Sequence, residues 1–255
     1  MIKFFFKKSF YDGWDNLLPL AGLNAGFLVL AALGIWLPAI MESTLVRVAG
    51  LVFIIMAGSV WWSVAALALT AVAGSGTFRF GELRAAFFSG LVPGLQFGAM
   101  VSVAVLLASV VFPFYSSIGN FFGLFATSLA FWLFLCLFLT LQYVLPWRAA
   151  NGGTLRTALR ASLMLFMDAP LFSLILAIDG LFCIAVSPLV AFLLPGPAAS
   201  VLASCEAVRL RSYKLHWMTQ AGTAKGRVPW AELLAGEVEA LGERTLKQLF
   251  FPWSH

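Results

Sequence analysis

The chain has 255 residues, of which 62% are apolar and only 11% charged, against roughly 45–50% and about 25% in an ordinary soluble domain. Its formal net charge of +5 comes from bases set at the ends of apolar runs, which argues against a nucleic-acid-binding stripe. A membrane protein is left: about six helices of roughly 20 apolar residues each use most of the chain and leave little for a soluble catalytic domain.

Residues 1–16, MIKFFFKKSFYDGWDN, are basic and aromatic and read as an interfacial amphipathic segment. The apolar run that follows is too long for the core of a cleavable signal, so the first helix is expected to stay. Apolar runs of spanning length are predicted at 17–40, 48–73, 92–112, 121–145, 169–194 and 198–217. The expected fold is therefore all-α, an integral membrane bundle of six transmembrane helices over residues 17–217, with a linker and amphipathic helix over 218–255.

Six spans put both termini on one side, and the retention of Lys and Arg in the cytoplasm decides which. Lys3, Lys7 and Lys8 precede the first span, Arg79 and Arg84 separate the second from the third, and Arg148, Arg156 and Arg160 separate the fourth from the fifth. Arg209, Arg211, Lys214, Lys225, Arg227, Arg244 and Lys247 lie in or after the sixth, and only Arg47 falls on the other side. Both termini are expected in the cytoplasm. Trp14, Trp36, Trp147 and Trp217 sit near predicted ends, at headgroup level, whereas Trp61, Trp62 and Trp132 lie deep and are expected to pack.

A weak threefold repeat appears at the odd-numbered spans. Pro19, Pro93 and Pro170 lie near their starts, 74 and 77 residues apart, and each follows a basic amphipathic stretch. The repeat predicts three helical hairpins, each led by an interfacial segment, with each proline in a first turn where it forfeits no hydrogen bond. After the last span, TQAGTAKGR reads as a connector. PWAELLAGEVEALGERTLKQLFFPW reads as an amphipathic helix against the cytoplasmic face of the bundle, or a partner-docking one.

Asp179 is the residue that packing alone does not explain, because a carboxylate at the centre of a span costs roughly 2.5–3.5 kcal/mol on the insertion scale. A turn at Pro195-Gly196-Pro197 would set it level with Tyr213 and within reach of Arg209 or Arg211. An ion pair with one of them is predicted, with Glu206 sharing the guanidinium. A turn at Ser187-Pro188 would instead carry Asp179 toward the outer surface. Asn24 and Gln96 occupy similar places after Pro19 and Pro93, and either line a polar centre with Asp179 or bond between helices. Asp168 reads as an N-terminal helix residue favoured by the dipole.

No catalytic constellation accompanies these residues. His216 and His255 are the only histidines, and neither has a carboxylate or cysteine at ligand spacing. Cys136, Cys183 and Cys205 lie inside apolar runs. HExxH, Walker and GxSxG patterns are missing, so no metal, cofactor or enzymatic activity is expected.

The stretches FRFGELRAAFFSGL, YVLPWRAANGGTLRTALRASLMLFMDAPLFSLILAI and FLLPGPAASVLASCEAVRL resemble the YesL-like group of bacterial integral membrane proteins over roughly residues 20–213. The resemblance implies an association with carbohydrate-uptake transporters and carries over no catalytic residue. The expected function is a non-enzymatic accessory or assembly factor whose partners are the bilayer and transporter subunits. The alternative is a small transporter or channel with an acidic and basic site around Asp179.

Overall fold

A computed structural model describes residues 1–74, 80–190, 195–221 and 228–242. Arg79, Lys225, Arg227, Arg244, Lys247, most of the connector and the end of the tail helix lie outside the described residues.

The first helix, α1 (Ile2–Asp15), is amphipathic, but its faces are unusual. Ile2, Phe6, Phe10 and Trp14 recur every four residues on an exposed stripe, whereas Phe5, Lys8 and Tyr11 are buried against the rest of the protein. After Asn16 the chain enters α2 (Leu17–Ile40), with Pro19 in its first turn. Arg47 closes the next turn by donating from Nε to the Met41 carbonyl at 2.6 Å, and α3 (Thr44–Ala73) returns. A single turn at Phe80–Glu82 leads into α4 (Leu83–Ser117). Gly119, at a positive φ of 64°, allows the reversal into α5 (Phe121–Leu141), whose start Asn120 caps by accepting from the Gly123 amide at 3.0 Å.

A two-residue break separates α5 from α6 (Val144–Asn151). Gly152 and Gly153, at φ 70° and 87°, end α6 with a backbone only glycine adopts readily. Thr154 then caps the amphipathic α7 (Leu155–Asp168). Pro170 opens α8 (Pro170–Val186), which tightens into a 3-10 segment at Ser187–Val190. The chain comes back as α9 (Pro197–Ala221), and the tail forms α10 (Trp230–Leu233) and α11 (Ala235–Leu241).

No strand occurs among the described residues, and the fold is an all-α membrane bundle. Among the described residues, five helical stretches are long and apolar enough to cross a membrane: Leu17–Ile40, Thr44–Ala73, Leu83–Ser117, Phe121–Asn151 and Pro170–Val190. On α5, Phe121, Phe122, Phe125, Phe131, Trp132 and Leu133 are all exposed. A patch of that size is untenable in water and ordinary in lipid.

At the centre, α3 touches α2, α4, α6 and α9. Gly90, Gly94 and Gly98 bring α4 so close that a Cβ on Gly94 would stand 2.4 Å from the Val60 Cα. Small residues every four positions permit this approach and let dispersion hold the pair where the hydrophobic effect is weak. Leu23, Leu69, Leu145 and Leu202 join α2, α3, α6 and α9 in one core cluster. Phe5, Tyr143, Leu165, Phe172 and Leu210 join α1, α7, α8 and α9 in another.

Four expectations change. The run 198–217 forms a helix, but α9 holds Glu206, Arg209, Arg211 and Lys214 and is not among the five apolar stretches. Its first turn lies beside Asn24, and Trp61 reaches the neighbouring Leu23 carbonyl at 3.0 Å. Thus α9 begins beside the eighth of the 24 residues of α2, well short of that helix's far end. Secondly, Pro93 sits inside α4, not in a first turn, because the amphipathic stretch before it joins the span in one 35-residue helix. The repeat is accordingly partial: hairpins α2–α3 and α8–α9 have a separate leading α-helix, whereas α4–α5 has none among the described residues. Lastly, Trp132 faces outward at 59% exposure instead of packing inside.

Candidate functional site

The register of the last hairpin decides what Asp179 can touch. A Cβ on Gly180 would lie 3.6 Å from the Ser200 Cβ, and Asp168 meets Arg211. The reversal is therefore centred near Val190, where the 3-10 segment already ends α8, rather than at Pro195-Gly196-Pro197 or at Ser187-Pro188. Asp179 ends up beside Ala199, with which it lines a cavity. Arg209 lies ten residues further along α9, about 15 Å at the helical rise.

The predicted ion pair is overturned. Arg211 donates to Asp168, which also accepts from Lys214 at 2.6 Å, so Asp168 ties α7 to α9 instead of serving a helix dipole. Arg209 donates from Nε to the Glu237 carboxylate at 2.7 Å, and Tyr213 donates to the same oxygen at 2.6 Å. Glu206 does not share that guanidinium. It is fully buried and turned toward α1, its carboxyl beside that of Asp12 and in electrostatic reach of Lys8 and Glu237.

Asn24 and Gln96 form no common centre with Asp179. The Asn24 side chain accepts from the Ala198 amide at 2.8 Å and thereby caps α9 across the bundle. It leaves no space for a Cβ at Gly196. Gln96 accepts from Arg148 at 2.8 Å, linking α4 to α6.

Two groups of residues escaped the sequence reading. Lys8 is 2% exposed and bonds Asp12 at 2.7 Å, with Glu237 at 3.3 Å. The pattern Lys8, Asp12 at i, i+4 was a visible signal, but the tail acid completing the cluster lies more than 220 positions away. Burial by itself would lower the Lys8 ammonium, yet the hydrogen bond and charge of Asp12, with Glu206 and Glu237 behind it, outweigh this and raise it. Burial by itself would lift the Glu237 carboxyl, but hydrogen bonds from Tyr213 and Arg209 and the charges of Lys8 and Arg209 hold it below its ordinary value. The second group is Gln142, Tyr143 and Ser173. Tyr143 and Ser173 share a hydroxyl bond of 2.8 Å, and Gln142 donates to the Ser173 carbonyl at 2.9 Å. In the sequence these read only as isolated polar residues at helix ends.

Asp179 itself has no ion-pair or hydrogen-bond partner among the described residues. It faces a cavity of about 780 Å³ between α1, α2, α8 and the start of α9. No three His, Cys, Asp or Glu side chains among the described residues are grouped to hold a metal ion.

Comparison with known proteins finds no matching family model, curated protein or solved structure.

Proposed function

We propose that the chain is a multi-pass protein of a bacterial cytoplasmic membrane, with α9 returning the chain after α8 so that both termini lie inside, and that it acts as a non-enzymatic accessory or assembly factor. Its partner on this reading is a carbohydrate-uptake transporter. The observation that carries the reading is the use made of polar side chains. Asn24, Gln96, Arg209 and Arg211 are each engaged in a contact that joins two helices. A conducting pathway needs polar groups lining a wet route to mid-depth, whereas the cavities here are walled mainly by Phe, Leu, Val and Trp side chains. The tail adds support: α11 is clamped onto α1 and α9 through Glu237, which gives the basic end of the bundle a fixed face for a partner.

The test is deletion of the gene in its own host, with assembled uptake transporter measured on native gels of membranes. The reading predicts a severalfold loss of assembled complex at unchanged subunit synthesis, restored by the wild-type gene. Unchanged assembly, together with solute or ion flux through the purified protein in proteoliposomes, would replace it with a small transporter.

A further inference from the structure

The cavity at Asp179 has a composition that selects its occupant. Phe6, Phe10 and Trp14 of α1 and Phe182 of α8 supply aromatic walls, Leu20 and Pro195 apolar ones, and among the described residues Asp179 is the only charged side chain lining it. A lone carboxylate in such surroundings is costly, because burial weakens its hydration and nothing among the described residues offsets its charge. The α8 helix does not need it, since a Leu there would insert better. The carboxylate therefore supplies a negative point at one side of an apolar, aromatic space.

We propose that this cavity binds an organic cation with an apolar body, an ammonium- or phosphonium-type group that pairs with Asp179 while its hydrocarbon part lies against the α1 stripe. Aromatic faces attract such weakly hydrated cations, by about 0.5–2 kcal/mol per ring, and the volume falls in the usual small-ligand range of roughly 300–1,000 Å³. A bare metal ion is unsuited, since Ca²⁺ or Mg²⁺ demands about six oxygen ligands and the lining offers Asp179 with Ser9 as its oxygen side chains. An anion would meet the carboxylate. Exposure of Phe6, Phe10 and Trp14 at 40–46% is what an apolar guest would cover. The site requires no transport, so it stands or falls apart from the accessory reading.

The experiment uses the full chain in an uncharged maltoside detergent and two probes of one shape and opposite charge, tetraphenylphosphonium and tetraphenylborate, followed by equilibrium dialysis. Saturable binding of one tetraphenylphosphonium per chain is expected, weakened at least tenfold in Asp179→Asn, with no saturable binding of tetraphenylborate. The substitution keeps the side-chain shape and removes the charge, and unchanged helicity and monodispersity verify the fold. Equal binding of both probes, equal binding by Asp179→Asn, or no saturable binding at all would overturn the proposal. Displacement of the probe by phosphatidylethanolamine supports it with a lipid amine as occupant, and retained binding supports it with a free cation.

Discussion

At Lys8 one buried ammonium stands among three carboxylates, those of Asp12, Glu206 and Glu237. Removing one partner of a buried pair costs about 3–5 kcal/mol, mostly because the remaining charge is stranded. Lys8→Met should therefore lower the melting temperature in detergent markedly, and adding Glu206→Gln should recover part of the loss. Additive effects would mean that the two groups do not interact. The same cluster predicts a pH response of the tail. The lowered Glu237 carboxyl contributes fully above its ordinary value and loses that contribution as pH falls through the lowered one, while the raised Lys8 ammonium contributes fully below its ordinary value and loses it at higher pH. A spin label at Glu239→Cys on α11, in a Cys136→Ser background, should stay immobile from about pH 5 to about pH 10 and become mobile beyond either limit. Mobility that rises within that range would contradict the clamp.

Between elements, the closest approach is made by residues that have almost no side chain. At Gly94 a Cβ would meet backbone of α3, so Gly94→Ala must push α3 and α4 apart and should destabilise by about 1–3 kcal/mol. Gly58→Ala, where nothing lies within 4 Å of the new carbon, should be neutral or stabilise by up to about 1 kcal/mol through helix propensity. Thermal unfolding of the two variants separates packing from propensity, and equal effects would sink the close-contact account. Much of this layer was legible beforehand: the runs 17–40 and 121–145 became Leu17–Ile40 and Phe121–Leu141 because hydropathy alone sets spans of that kind. Fusion of LRAAFF with the third span was not legible, since an amphipathic stretch and an apolar one share the same helical period and nothing between them breaks it. The glycine spacing in GLVPGLQFG was in plain view, but which helix it would face depends on tertiary contact.

For the molecule as a whole, the last hairpin sets the character of the site. Had the chain turned at Pro195-Gly196-Pro197, Asp179 would have met an arginine and the bundle would hold one more structural pair. Turning near Val190 instead commits Arg209 to the tail and Arg211 to Asp168, and leaves Asp179 facing an apolar cavity. The charged residues themselves were readable from the sequence. Their partners were not, because α8 stops in a 3-10 segment before the stronger turn signal, and a shift of a few residues in a hairpin doubles into a change of opposite neighbours. Disulfide trapping of this register in membranes is the most direct test, with Cys136, Cys183 and Cys205 replaced by Ser. The Gly180→Cys/Ser200→Cys pair is expected to cross-link readily, because the two Cβ positions stand 3.6 Å apart, within the 3.5–4.5 Å that a disulfide spans, while Gly180→Cys/Ser212→Cys is expected to stay reduced. Efficient cross-linking of 180 to 212, with none of 180 to 200, would contradict the register and return Asp179 to the arginines.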